Sequence, residues 1–433
     1  MNYIPNIIFA LILVFGIGFF ANNVRKLIRN IKLGKSIDRN DQKSVRFANM
    51  ARIALGQSKM VRRPVSGILH IVVYVGFILI NIELLEIVLD GLLGTHRLFL
   101  PFIGEGVYGF LIGTFEILAF LVLVAVIVFW ARRNILKIAR FMNPEMKGWP
   151  KKDADFILYF EMVLMSLFLI MNATDLPFQE AGVGNPISQF IAPWFSSMSE
   201  SSVHLIEQGA WWAHIIGILV FLNYLYYSKH LHILLAFPNT YFGNLKPQGA
   251  FDNLESVKKE VALMMDPDAD PFAMPEEGAE EEIETFGAAD VTDLNWVQLM
   301  NAYTCTECGR CTSSCPANMT GKELSPRGIM MKTRDRMEEV GRAIDKGESY
   351  DDKKLLGDYI SPEELWACTS CNACVEECPV SISPLSIIND MRRYMVMEES
   401  SAPNELNIMM TNVENNGAPW AYNQMDRLNW KDE

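Results

Sequence analysis

Several residue types are missing from long parts of this 433-residue chain, and each gap removes a class of function. No cysteine precedes Cys305, and no histidine follows His232. A covalently attached haem needs C-x-x-C-H, which never occurs, so any haem here would be held non-covalently. No two cysteines are adjacent, and no G-x-G-x-x-G follows a strand pattern, so no dinucleotide site is visible. The first apolar run has no Lys or Arg before it and so lacks the charged start of a cleavable signal peptide. The stretch from Phe251 onward is poor in positive charge: 16 Lys+Arg against 36 Asp+Glu, net −20. Phosphate binding needs a basic face, so nucleic acid is excluded as a partner.

What is present divides the chain in two. Up to Ala250 there are 22 Lys+Arg against 15 Asp+Glu, net +7, and this half holds five apolar runs of spanning length. They are Ile4–Ala21, Pro64–Leu89, Val107–Trp130, Phe156–Ala173 and Val203–Tyr227. The loop Arg25 to Arg63 carries twelve basic residues, and Arg132 to Lys152 carries seven. The opposite ends hold Glu83, Glu86, Asp90, Asp175, Glu180 and Glu200, with only Arg97 to balance them. The positive-inside rule then puts the basic loops in the cytoplasm and the N-terminus outside. The fifth span would run inward and deliver the acidic half to the cytoplasm of a bacterial inner membrane, where thiols stay reduced.

All eight cysteines fall in two matching runs. Cys305, Cys308, Cys311 and Cys315-Pro316 follow C-x2-C-x2-C-x3-C-P, and Cys368, Cys371, Cys374 and Cys378-Pro379 repeat it. Thiolates are soft ligands suited to iron–sulfur clusters, and in this two-cluster pattern the fourth cysteine of each run ligates the other cluster. Cys305, Cys308, Cys311 and Cys378 are therefore expected to hold one [4Fe–4S] cluster, and Cys368, Cys371, Cys374 and Cys315 the second. Structural zinc has no need of a third cysteine plus Cys-Pro, twice over. A disulfide framework suits small secreted domains, not a long chain with clustered thiols.

Ionisable groups at membrane depth are expensive and usually functional. His70 lies in the second span and His214 in the fifth, with His230 and His232 just past its inner end. His96 and His204 fall near the outer face, and these two and His230 read as satisfied interfacial side chains. His70, His214 and His232 read as axial ligands, since neutral imidazole is the natural ligand of a b-type haem. By helical rise His70 lies between the depths of His214 and His232, so spacing permits it to pair with either. Glu116 and Glu161, inside the third and fourth spans, are either proton relays for a quinone or acids facing a polar gap between helices.

Five spans with His70 in the second, Trp212-Ala213-His214-Ile215 in the fifth, and Ser228-Lys229-His230-Leu231-His232-Ile233 beyond resemble the cytochrome b (gamma) subunit of respiratory nitrate reductase. That family holds two stacked haems with two histidines from each of these helices. The resemblance implies that His70 and His232 hold the inner haem and that His214 matches an outer ligand. The remaining position is Ile80, so an outer haem would need another partner for His214.

The cysteine region is charged, broken by Gly and Pro, and helical in spacing over Leu324–Val340 and Pro362–Ala367. It resembles the C component of heterodisulfide reductases. The two resemblances in series match heterodisulfide-reductase-related fusions such as electron-transfer-flavoprotein:quinone oxidoreductases. The expected fold is mainly α: a five-helix membrane domain (1–237), an acidic linker (238–290), a helical ferredoxin domain (291–400) and a tail (401–433). Asp266, Asp268 and Asp270 in that linker lack the glycine and glutamate of a calcium loop.

The expected function is to pass electrons between a cytoplasmic redox partner and the quinone pool through two clusters and haem b. The substrate chemistry would sit on a partner: a subunit with the CCG motifs this chain lacks, or a flavoprotein. The acidic domain is expected to turn its net −20 away from the basic inner loops, toward that partner. Two rivals are a haem-free membrane anchor for a ferredoxin and an iron–sulfur redox sensor. Histidines at membrane depth argue against the first, and the lack of any kinase, cyclase or DNA-binding segment against the second.

Overall fold

Proline stands in the first turn of three of the five apolar helices, as Pro5, Pro64 and Pro150. There its missing N–H leaves nothing unbonded and its fixed φ suits the helix. The computed structural model describes residues 3–267 and 285–432. The apolar helices are α1 (Ile4–Ile31), α2 (Pro64–Leu93), α3 (Glu105–Asn134), α4 (Trp149–Thr174) and α5 (Glu200–Tyr227, its last turn tightened). All five are long and apolar enough to cross a membrane. α3 is the central member, with 44% of its most apolar window buried against 11% for the peripheral α1. α1 turns Leu11, Val14 and Phe15 outward, a face suited to lipid.

Each helix outlasts its apolar run, because apolarity marks the part that crosses hydrocarbon and not where the backbone stops coiling. α1 is the clearest case, running ten residues past Ala21 through Arg25, Lys26 and Arg29 to Ile31. Its end has a protein partner. Asn30 Nδ2 donates to Tyr303 Oη (2.9 Å) and Arg29 to the Gly341 carbonyl (2.9 Å). A Cβ at Gly341 would lie 2.5 Å from Asn30 Oδ1, so any larger residue there would push the Asn30 amide off its present partners.

The second half is also helical: α6 (His232–Tyr241), α7 (Trp296–Thr304), α8 (Pro326–Lys346) and α9 (Pro384–Met397), with short turns carrying the cysteines. Asn295 and Gln298 close a capping box on α7, and Ser325 and Ser383 cap α8 and α9. No β-strand occurs among the described residues, only two isolated bridges. The chain is thus a five-helix transmembrane bundle followed by a helical iron–sulfur type of domain, not a β-sheet ferredoxin.

One apolar core runs through both halves. Leu27, Phe221, Leu225 and Leu231 from the inner ends of the bundle pack in the same cluster as Leu299, Ile329, Met337 and Ile387. The acidic stretch 268–284 lies outside the described residues. Two parts of the expected linker are ordered otherwise. Glu255–Met265 is helical, and Ala288, Ala289 and Asp290 pack into the following domain, where Asp290 accepts from Arg336 at 2.7 Å. A short apolar pair beside one aspartate is too small a signal to separate from linker composition.

Candidate metal centres

The two cysteine runs follow the same backbone path. In the first, Glu307 and Gly309 have φ of 54° and 73°; in the second, Ser370 and Asn372 at the corresponding positions have 55° and 61°. Left-handed residues at these steps curl the chain so that amides face the sulfurs. Ser370 N–H donates to Cys368 Sγ (3.4 Å) and Ile382 N–H to Cys378 Sγ (3.3 Å).

The runs interleave. Cys305, Cys308, Cys311 and Cys378 line one cavity together with Cys374. Burial pushes the Cys305 thiol up to about 12, and Cys308 and Cys378 nearby push in the same direction. Cys378 rises to about 11 through burial and the neighbouring Cys308. In the other group Cys374 rises to about 12 through burial, then through Cys368, Cys315 and Cys371. Each fourth cysteine thus stands among the first three of the opposite run. Thiols so buried and crowded become thiolates only where a cation compensates them, as a bound metal does.

The first run is fastened to the bundle on two sides. Arg310, between Cys308 and Cys311, donates to the carbonyls of Lys59 and Met60 (3.2 Å each) and to Ser66 Oγ (3.3 Å) at the inner end of α2. Glu307, 2% exposed, is held by Lys229 and by Arg334 (2.8 Å). Burial would raise the Glu307 carboxyl, but these two cations bring it below the ordinary glutamate value. Lys229 also donates to the Pro150 carbonyl (2.6 Å), and its own N–H to Asp153 (3.1 Å).

Three residues beyond Lys229, His232 places Nδ1 3.1 Å from the Lys229 carbonyl. A carbonyl only accepts, so Nδ1 carries the proton and Nε2 is left free. His232 faces His70, with ring centres 6.4 Å apart and planes tilted by 42°. The His70 Nδ1 is buried with no hydrogen-bond partner. His214 is elsewhere: it is buried, its ring is 6.1 Å from Phe168, and it lines a cavity with Ile80 that neither His70 nor His232 lines.

The other candidates fall into place around these. His96 Nε2 approaches Asp175 (3.4 Å) and Glu207 (3.6 Å), and His204 Nδ1 meets Glu207 at 3.0 Å, so both are satisfied at the outer end. His230, read as a satisfied interfacial side chain, is largely buried; its ring is 5.3 Å from that of His232 and its Nε2 is 3.8 Å from Glu161. Burial keeps His230 well below the ordinary imidazole pKa. The residues after α5 turn back into the bundle, which helical extrapolation from α5 does not foresee. Glu116 accepts from the backbone N–H groups of Ile187 (2.9 Å) and Ser188 (3.0 Å), anchoring the outer loop to α3. Its Oε1, on the other side of the carboxylate, is buried without a partner.

The acidic domain does not face away from the basic loops. Arg62 pairs with Glu376, Arg63 with Glu377 (2.9 Å), and Lys26 and Arg29 with Asp345 (3.1 Å for Lys26). Opposite charges of the two halves meet along this seam, and a net count could not show which acids are used there.

Residues 304–382 match the 4Fe-4S dicluster domain family. The chain is 29% identical over 460 residues to the probable iron-sulfur-binding oxidoreductase FadF of Bacillus subtilis, covering 99% of this chain and 61% of that protein. It is 25% identical over 429 residues to an EtfAB:quinone oxidoreductase of Syntrophomonas wolfei, covering 92% of this chain and 55% of the relative. Over 132 residues it is 29% identical to a heterodisulfide reductase C-like protein of Archaeoglobus profundus, covering 30% of this chain and 59% of that one. The chain therefore spans a little over half the length of the first two relatives. No solved structure matches. This is a multi-pass membrane protein with an iron–sulfur domain of dicluster type.

Proposed function

We propose that this chain is the membrane subunit of a quinone-linked oxidoreductase, relaying electrons between a redox partner on the cytoplasmic side and the quinone pool. The observation that carries this reading is the double fastening of the first cysteine run to the bundle, through Arg310 at the foot of α2 and through Glu307–Lys229 at the foot of α5. These are the two elements that carry His70 and lead to His232. A tether for a ferredoxin would need no such registration.

The interleaved thiols support one [4Fe–4S] cluster on Cys305, Cys308, Cys311 and Cys378, and another on Cys368, Cys371, Cys374 and Cys315. Two imidazoles sharing one metal through nitrogens about 2 Å away hold their ring centres roughly 6 Å apart, and His70 and His232 stand at 6.4 Å. With the unpartnered His70 Nδ1 and the fixed His232 tautomer, this spacing supports His70 and His232 as the residues that would hold a b haem. These groups, when bound, supply one-electron transfer. The residues around them keep water away, fix ligand orientation and hold the two halves in register.

The names of the relatives, an EtfAB:quinone oxidoreductase among them, support a flavoprotein or heterodisulfide-reductase-like partner and flow toward quinone. The positive-inside distribution supports a cytoplasmic cluster domain. The test uses anaerobically purified protein: two cubanes bring about eight iron and eight sulfide per chain. His70→Ala and His232→Ala should each abolish one low-spin b-haem signal. Membranes given the partner's substrate should reduce a menaquinone analogue and lose that activity on Cys308→Ala. A visible spectrum without haem, or haem unaffected by both histidine changes, overturns the relay as drawn.

A further inference from the structure

Between α2, α3, α4 and α5 lies a second cavity, walled mainly by apolar side chains such as Ile80, Phe77, Met165 and Phe168. Only a few polar groups reach it: His214, Glu161, Glu83 and Asn81. Glu83 is 4% exposed with one carboxylate oxygen unpartnered, and His214 is 3% exposed with Nδ1 unpartnered and only the Leu164 backbone beside its ring. Buried polar groups are nearly always hydrogen-bonded, so two orphans on one apolar cavity point to a ligand that meets them. We infer that this cavity is the head-group site of a quinone, with His214 binding one carbonyl and Glu161 supplying a proton.

The chemistry of the walls selects the ligand class. Phe77 lines the cavity and is 45% exposed, which suits a ligand that arrives through the apolar flank of the bundle. A molecule arriving from lipid into apolar walls, and then needing one or two hydrogen-bond partners, is a lipophilic carbonyl compound. Ile80 leaves room where a longer side chain would close the space. Glu161 lies on the wall of the same cavity and is 9% exposed, so its carboxyl can face a head group there. Reduction of one quinone to quinol takes two electrons and two protons. The electrons come, on the proposed function, from the reduced cytoplasmic partner. The protons come from water, one of them by way of Glu161 on the cavity wall, and both end on the quinol oxygens. The inference rests on that function only for the electrons; the binding site stands apart from it.

The experiment uses the full-length chain purified with its native partners. Binding of 2-heptyl-4-hydroxyquinoline N-oxide, read by quenching of its fluorescence, reports the site without turnover. Ile80→Phe should weaken binding about tenfold or more by overfilling the cavity. His214→Leu should weaken it about tenfold through one lost hydrogen bond. The second change guards against a misfolded first, and cluster absorbance reports folding in both. Glu161→Gln should leave binding within about twofold yet slow quinol formation at saturating quinone on the order of a hundredfold. Part of that rate should return with an added weak acid, and Glu161→Asp should retain most of it. Wild-type probe affinity in both Ile80→Phe and His214→Leu overturns the site. Normal quinol formation in all three variants does the same and leaves the proposed function standing. Binding that is lost in the variants, in a wild type that never forms quinol, upholds the site and defeats the function.

Discussion

Lys229 and Glu307 form a pair that could not be seen in either half alone. Lys229 follows the fifth span, Glu307 sits between two candidate ligands, and their side chains are 8% and 2% exposed. Removing one partner of a buried pair leaves the other charge uncompensated, which is costlier than removing both. Lys229→Met should therefore destabilise the docked cluster domain by about 3 kcal/mol, softened because Arg334 still holds Glu307. The double change Lys229→Met with Glu307→Gln should cost less than the sum of the two single changes. Chemical denaturation followed by cluster absorbance measures each. Additive effects would mean that the pair is not coupled.

At the scale of elements, much was legible and the reasons are physical. Spans announce themselves by apolar length, and the cysteine spacing repeats because two loops follow one backbone path. What the sequence hid were the contacts that depend on a chain reversal. His230 looked interfacial because α5 was extrapolated straight, and the extension of α1 to Ile31 was hidden by its charges. The ends holding these acids show the same limit: the acids looked unbalanced, yet Asp175 pairs with Arg97 while backbone and hydroxyl donors meet Glu86 and Asp90. Arg97 donates to Asp175 (2.7 Å), Tyr108 Oη (3.1 Å) and Asn172 (3.3 Å), joining the loops after α2 and α4. His96 adds to this lock. Hydrogen bonding to Asp175, then Glu207, raises its pKa from 6.5 to about 9. A raised folded-state pKa stabilises fully below the unfolded value and fades as pH climbs through the folded one. The lock should thus be intact below pH 6.5 and weaken toward pH 9. The effect is modest, because the His96 side chain is 57% exposed and solvent screens it. The thermal midpoint should fall over this window in the wild type and less in His96→Gln. Equal slopes would remove His96 from the lock.

For the whole molecule, the question is what keeps the cluster domain on the bundle. The salt bridges are conspicuous, but Arg62 and Glu376 are 49% and 41% exposed, and Arg63 and Glu377 34% and 32%. Exposed pairs contribute at most about 1 kcal/mol each and are screened by salt. The shared core from Leu27, Phe221 and Leu231 to Leu299 and Ile329 is fully desolvated, and burying one such side chain is worth about 1.5–3 kcal/mol. The apolar seam therefore holds the domain, and the charges set its register. From this, about 1 M salt should not release the domain, since the Debye length of about 3 Å it leaves weakens only the rim. Reversing both arginines, Arg62→Glu with Arg63→Glu, should leave the domain attached but misregistered. On the proposed function, the sign of misregistration is a lower rate of electron passage into the bundle at unchanged cluster content, and Glu376→Arg with Glu377→Arg in the same chain should restore it. Leu231→Asp should instead detach the domain, seen as new protease cleavage at the inner ends of the helices. If high salt alone exposes those sites, the charges and not the seam carry the docking.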